Sequence, residues 1–243
     1  MESKSEQNEW SSGVWAHLTA VRQQSPLVQC ITNFVSMDLV ANTLLSAGAS
    51  PAMVHSVVEI PDFTPHIHAL CVNVGTLTPD WLPSMKAAAE LASQLRKPWV
   101  LDPAAVSCSG FRLKACLELI ELKPTVIKGN GSEIIALSSA SRGQTKGADS
   151  SHESTDAIEA AKSLAMSSGA VVAVSGAVDI VTDGKQVIGV HNGTKMMQQI
   201  TATGELGEAM ANGPASLRMH LIDCLYGLDE TTVLKRVNVT RLG

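Results

Sequence analysis

The sequence predicts an α/β domain with a mainly parallel central sheet and helices on both faces. Three observations carry that expectation. Short β-branched apolar runs alternate along the chain with amphipathic stretches. The links between them are short, as in right-handed βαβ units. The runs are also apolar almost throughout, which marks strands buried on both faces.

The elements follow in order. Leu27-Val28-Gln29-Cys30-Ile31 reads as a strand, and Ser36 to Ala47 as a helix closed by Gly48. Ala69 to Val74 is a strand, apolar apart from Asn73. Thr78-Pro79-Asp80 opens a helix with proline at its first position, running to about Arg96. Trp99-Val100-Leu101 is a strand, Phe111 to Leu122 a helix, and Thr125-Val126-Ile127 a strand. Ser132 to Leu137 opens another helix, Thr155 to Ser168 is helical with Gly169 closing it, and Ala170 to Val174 is a strand. Val178 to Thr182 and Gln186 to Val190 flank Asp183-Gly184, the signature of a hairpin with a type I′ turn. From Gly204 the chain is helical again, and Ala140 to Glu153 reads as a mobile loop.

A chain of 243 residues without a linker or repeat suits one domain, residues 15–243, behind a flexible lead-in at 1–14. Charged residues make up 17%, below the usual share of about 25%. That leaves room for buried subunit contacts. A net charge of −5 argues against nucleic acid and anionic membranes as partners. The basic tail Lys235 to Arg241 reads as a frayed, solvated terminus. Cys30, Cys71, Cys108, Cys116 and Cys224 are odd in number and unpaired in sequence, which points to reduced thiols and the cytosol. The N-terminal stretch carries Glu2, Glu6 and Glu9 and no apolar run, so it reads as neither signal nor transit peptide. No apolar run reaches the roughly 18–20 residues of a membrane helix.

Ligands of parallel sheets bind beyond the carboxyl ends of the strands. The residues that follow each strand here are Thr32-Asn33, Gly75-Thr76, Asp102-Pro103, Lys128-Gly129-Asn130, Ser175-Gly176 and Thr201 to Gly204. One polar, glycine-rich turn is ordinary loop chemistry; six on one edge point to a ligand site. Gly184-Lys185 lacks the rest of a P-loop, and Gly129-Asn130-Gly131 lacks the third glycine of a dinucleotide fingerprint. His66-x-His68 reads as a surface pair, not a metal site. Lys128 to Glu133 leaves a strand and opens a helix, whose amides attract phosphate. Lys128 offers a point charge to that phosphate. Glu133 has two readings: a ligand of Mg²⁺ through water, or a first-turn acid favoured by the helix dipole.

Taken together, these stretches resemble the hydroxyethylthiazole kinases of thiamin salvage. The resemblance rests on Val28 to Asn33, Gly48 to Met53, Asn73 to Leu77, Pro98 to Pro103, Ile127 to Ile134, Val172 to Gly176, Val181 to Gly184 and Gly213 to Leu217. It covers the chain from about Trp15. It implies a ribokinase-like three-layer α/β/α fold. It also implies transfer of the ATP γ-phosphate to the hydroxyl of 4-methyl-5-(2-hydroxyethyl)thiazole with Mg²⁺, and a cytosolic homotrimer with sites between subunits. Carried over by motif, Met53, Asn33 and Ala202 line the thiazole pocket. Lys128 stands where the family has an ATP-contacting Arg, Ser175 where it has a Thr, and Asn130 lies beside them. Asp102 and Glu133 organise magnesium and phosphate. Lysine for arginine loses the bidentate fork, while serine for threonine keeps the hydroxyl.

One departure matters. The family's last loop reads Gly-Thr-Gly-Cys, its amides form an anion hole, and a long helix follows. Here the loop reads Ala202-Thr203-Gly204-Glu205. Gly204 to Glu208 resembles a later family segment, so an internal deletion, such as alternative splicing gives, has removed about two helices. Two average helices are roughly 20–30 residues. Thr203, Gly204 and Glu205 remain as the remnant of the catalytic loop. Glu205 is then either a competitor for the phosphate's positive field or a general base for the alcohol proton. Three alternatives stay open. The chain is an active thiazole kinase, a silent form that binds ligand or joins trimers of the intact enzyme, or a kinase of another vitamin precursor such as a pyrimidine alcohol.

Overall fold

The structure, a computed structural model, describes residues 4–143, 157–192 and 214–242. In chain order it runs α1 (Lys4–Gln24), β1 (Leu27–Ile31), α2 (Met37–Ala47), β2 (Ser50–Ala52), α3 (Ile60–Phe63), β3 (Ala69–Asn73), α4 (Trp81–Gln94), β4 (Trp99–Asp102), α5 (Gly110–Glu121), β5 (Val126–Asn130), α6 (Gly131–Ser141), α7 (Ile158–Ser168) and β6 (Val171–Ser175). Then come β7 (Asp179–Thr182), β8 (Val187–Val190), α8 (Pro214–Tyr226), α9 (Glu230–Arg236) and β9 (Val239–Arg241). The expected mobile loop falls mostly outside the described residues.

All nine strands form one sheet in the order β2-β1-β3-β4-β5-β6-β7-β8-β9. Strands β2 to β6 run parallel, and β6 to β9 pair antiparallel. The parallel part is therefore built from βαβ crossovers, and its carboxyl ends share one edge.

Register assigns the faces. Leu70, Val72, Trp99, Leu101, Ile127, Val172, Val174 and Ile180 fall on one face and are fully buried with Met85, Ala88, Leu119, Ile134 and Leu164 of α4 to α7. On the opposite face, Cys71, Val100, Val126, Ala173, Val181 and Ile188 are only half-buried. The second face is thus covered less tightly than the first, although Cys30, paired in register with Cys71, is fully buried.

The other helices gather at the β2 edge and the chain ends. Helix α1 packs on α9 and α2, and α2 on α8, with Arg218 pairing to Asp38. Arg22 donates to the carbonyls of Leu228 (2.7 Å), Leu225 (2.9 Å) and Tyr226 (3.3 Å), closing the carboxyl end of α8.

Several boundaries differ from expectation. Residues 4–14 of the lead-in are helical, within α1, and Gln7 holds Val239 through both its amide atoms and so ties α1 to β9. The basic tail is paired instead of frayed: Val239–Arg241 lines up antiparallel to β8. Helix α4 begins at Trp81, after Pro79, with Thr78 Oγ1 accepting the Trp81 N–H at 3.3 Å. The hairpin turn is not type I′. Gly184 has φ 93, but Asp183 is not in the left-handed region. Asp183 Oδ1 instead accepts Lys185 N and Gln186 N, both at 2.8 Å, in a four-residue loop between Thr182 and Val187.

Candidate active site

A polar relay crosses the carboxyl edge of the parallel strands. Asn33 Oδ1, just past β1, accepts the N–H groups of Val35 (3.0 Å) and Ser36 (2.9 Å). Its Nδ2 donates to Asn73 Oδ1 at 2.8 Å, and the same oxygen accepts Gly75 N–H at 2.8 Å. Asn73 also stands opposite Asp102, its register partner at the end of β4, and its side chain helps to hold that carboxyl down. Asp102 Oδ2 lies 3.9 Å from Lys128 Nζ on β5. Gly75 keeps this junction open: a Cβ would stand 3.0 Å from both Asn33 Nδ2 and Asn73 Oδ1 and press on their hydrogen bond.

The charges at the far end of this relay are tensioned. Burial pushes the Asp102 carboxyl above the usual range; Lys128 pulls it down and Glu133 pushes it up. Burial likewise raises Asp179 at the start of β7, against the Gly176 N–H (2.8 Å) and Lys128. One half-exposed ammonium therefore serves two carboxylates. Ser175 Oγ lies beside it on β6, donating to Gly129 O at 3.4 Å.

Glu133 is fully engaged by the backbone. Asn130 caps α6 by accepting Glu133 N–H at 2.9 Å, and Glu133 Oε2 accepts Asn130 N–H at 2.8 Å, completing a capping box. Its other oxygen, Oε1, accepts Ala105 N–H at 2.8 Å from the loop after β4. Each oxygen keeps a lone pair toward the sheet edge. Arg112, at the start of α5, reaches the same loop from below and bonds the Gly75 carbonyl at 3.0 Å.

The β1–β2 side is apolar and aromatic. Met53 follows β2 and is half-buried; its carbonyl accepts from His55 Nδ1 at 3.2 Å. His55 Nε2 accepts Thr32 N–H at 3.3 Å, which fixes the ring's tautomer. The His55 ring stands 4.5 Å from Trp81, and Phe34 stands 4.6 Å from Trp81. The three rings thus cluster beyond the carboxyl ends of β1 and β2, with Met53 tied to His55 through its carbonyl.

The fold thus brings Asn33, Met53, Asp102, Lys128, Asn130, Glu133 and Ser175 to one edge of one sheet. Ala202, Thr203, Gly204 and Glu205 lie outside the described residues. Sequence reasoning passed over Asn73, Arg112, Asp179, His55 and Trp81. Asn73 left a signal, being the one polar residue in an apolar strand. Arg112 left none, because an arginine in a helix's first turn reads as surface. Among the described residues no group of three or more metal-ligating side chains occurs, and no helix is long and apolar enough to cross a membrane.

Comparison with known proteins identifies the surroundings of this site. The sequence model of the hydroxyethylthiazole kinase family matches residues 18–230. A hydroxyethylthiazole kinase of Arabidopsis thaliana is 88% identical over 276 aligned positions that take in all of both chains. Since 276 positions exceed this chain's 243 residues by 33, at least 33 positions of the alignment fall opposite gaps here. A hydroxyethylthiazole kinase of Zea mays is 57% identical over 267 positions, covering 95% of this chain and 94% of its own length. Among solved structures, a hydroxyethylthiazole kinase protein from Pyrococcus horikoshii superposes with a TM-score of 0.88 at 31% identity, covering 96% of this chain and 100% of its own.

Proposed function

The chain belongs to the hydroxyethylthiazole kinase family, and from that membership we propose that it phosphorylates the hydroxyl of 4-methyl-5-(2-hydroxyethyl)thiazole from ATP. The observation that supports this most directly is the relay from Asn33 through Asn73 and Asp102 to Lys128. It joins an aromatic pocket to a charged strand edge, as a transfer between a heterocyclic alcohol and a phosphate requires.

The roles follow from the chemistry of the groups. Met53, Asn33 and Ala202 hold the thiazole. Lys128, Ser175 and Asn130 receive the nucleotide. Lys128 meets its phosphates as a single mobile charge, drawn from between Asp102 and Asp179. Asp102 and Glu133 suit Mg²⁺, because Glu133 raises the buried Asp102 carboxyl by repulsion that a cation would relieve, and magnesium takes one or two carboxylates plus phosphates and water. Bound there, the ion would neutralise charge on the β- and γ-phosphates. The γ-phosphoryl group passes to the alcohol oxygen and ADP departs. Thr203 and Gly204 are assigned to the developing charge as the remnant of the catalytic loop, and Glu205 to the alcohol proton as general base. The chain works as a homotrimer in the cytosol. In support, the loops after β1 and β2 expose Phe34, Val35 and Val58 (64%, 75% and 79% exposed), and the described cysteines are all free thiols.

The gap of at least 33 positions favours a second reading, a silent subunit that binds ligand or joins trimers of the intact enzyme. The deciding experiment is ATP-dependent phosphorylation of the thiazole alcohol by purified chain, with a thermal melt alongside. Product that disappears in Glu205→Gln supports the kinase. A cooperative melt without product supports the silent subunit. Product from a pyrimidine alcohol but not the thiazole would overturn the substrate.

A further inference from the structure

Ala105 carries the backbone strain of the site. It adopts φ 54 and ψ 39, the left-handed region, without being glycine. Side chains hold both of its peptide groups. Glu133 Oε1 accepts its N–H at 2.8 Å. Arg112 Nη1 donates to its carbonyl at 3.1 Å, and to that of Ala104 at 3.4 Å. The Ala105 carbonyl also accepts Cys108 N–H at 3.0 Å, closing the turn beneath.

Arg112 is unusual in what it bonds. Its Nη2 donates to Gly75 O at 3.0 Å, so one guanidinium spans the loops after β3 and β4. Among the described residues it forms no ion pair, and its Nε is buried without a hydrogen bond. Nothing in the packing demands a cation here; an apolar side chain would fill the space without leaving Nε–H unbonded. What only a planar fork supplies is simultaneous grip on three carbonyls in two loops.

We infer that Arg112 is a positioning residue for phosphoryl transfer: with Glu133 it locks strained Ala105, and so fixes the direction in which Asp102 leaves the sheet. The inference rests on Asp102 serving the magnesium-nucleotide as set out above. Arg112 acts three residues away from that carboxylate, through the loop Pro103-Ala104-Ala105. On the alcohol side its loss matters less, because the Gly75 turn has a second hold in Asn73.

Calorimetric titration of the full chain with Mg·ADP, and separately with the thiazole alcohol, tests it. Arg112→Lys should weaken Mg·ADP binding about tenfold, a cost of ~1.4 kcal/mol, with alcohol affinity within twofold and the melt little changed. The effect should shrink when Ala105→Gly is added, because a relaxed residue no longer needs the clamp; independent sites would simply add. Asp102→Asn is the control for the underlying assignment. If it binds Mg·ADP normally, or if the unaltered chain binds none, the assignment of Asp102 fails and the inference with it. If Asp102→Asn loses the nucleotide but Arg112→Lys binds as before, or loses both ligands equally, the inference alone is overturned.

Discussion

At the residue scale, the site holds charge at a cost to the fold. Asp102 is the clearest case. Burial, its largest influence, raises the carboxyl above its ordinary value, with Glu133 adding to the rise and Lys128 opposing it. A carboxyl whose pKa is raised on folding binds its proton more tightly folded than unfolded. Its contribution to stability is thus fully present below the unfolded pKa and lost as pH rises through the folded one. At neutral pH the ionised Asp102 is a net burden. Asp102→Asn should therefore raise the melting temperature at pH 7, by about 2–4 °C for each kcal/mol relieved. The gain should vanish at pH 3, while Mg·ADP binding falls at least tenfold. A lower melting point at pH 7 would mean that the Lys128 pair outweighs the burial. Asp183 and Asp229 titrate in the opposite sense. Hydrogen bonds to the backbone N–H groups of Gln186 and Lys185 lower Asp183, and those to Thr232 lower Asp229, so each favours the fold above its unfolded pKa and loses that as pH falls.

At the element scale, several helix ends were legible, whereas the Asp183-Gly184 turn type, the start of α4 and the long-range pairing were not. The capping box at Asn130 and Glu133 shows in the sequence as a strand, two glycines and an acid at the right spacing, and helix α6 begins there. Gly48 and Gly169 close their helices with φ 95 and φ 78, as their positions imply. By contrast, β2 and β9 have three residues each and no period to read; they exist because β1 and β8 offer them edges. Helix α1 is weakly amphipathic and interrupted by Ser11-Ser12-Gly13, and it is held by Gln7 and Arg22 reaching residues more than 200 positions away. The Asn130 cap also gives the element-level prediction. Asn130→Ala removes an N-cap, worth about 1 kcal/mol, and loosens the first turn of α6, which carries Glu133. A fall of about 2–4 °C in melting temperature should accompany weaker Mg·ADP binding. A fall in melting temperature with unchanged nucleotide affinity would show that the cap serves α6 alone.

At the scale of the whole molecule, the sheet's unequal faces and the gap against its relatives describe one fact. One face is sealed by α4 to α7, while the other leaves Cys71, Val100, Val126, Ala173, Val181 and Ile188 half-buried. A parallel sheet normally has both faces covered, and at least 33 aligned positions of the Arabidopsis thaliana relative have no counterpart here. The family resemblance read from the sequence leads one to expect that loss after Gly204, outside the described residues. Burying a Leu- or Val-sized side chain contributes roughly 1.5–3 kcal/mol. Partial exposure of these six positions therefore forgoes a fraction of that gain at each, against a net stability of only about 5–15 kcal/mol. The chain alone should accordingly melt well below the intact Arabidopsis thaliana kinase and bind an apolar dye such as ANS more strongly. If the thinly covered face limits stability, mixing with the intact kinase at micromolar concentration should leave the dye signal additive, since Phe34 and Val58, the exposed residues proposed above for subunit contacts, follow the carboxyl ends of β1 and β2. A mixed assembly that quenches the dye would show instead that a neighbouring subunit covers the gap, and would make the shortened chain a component of the intact enzyme.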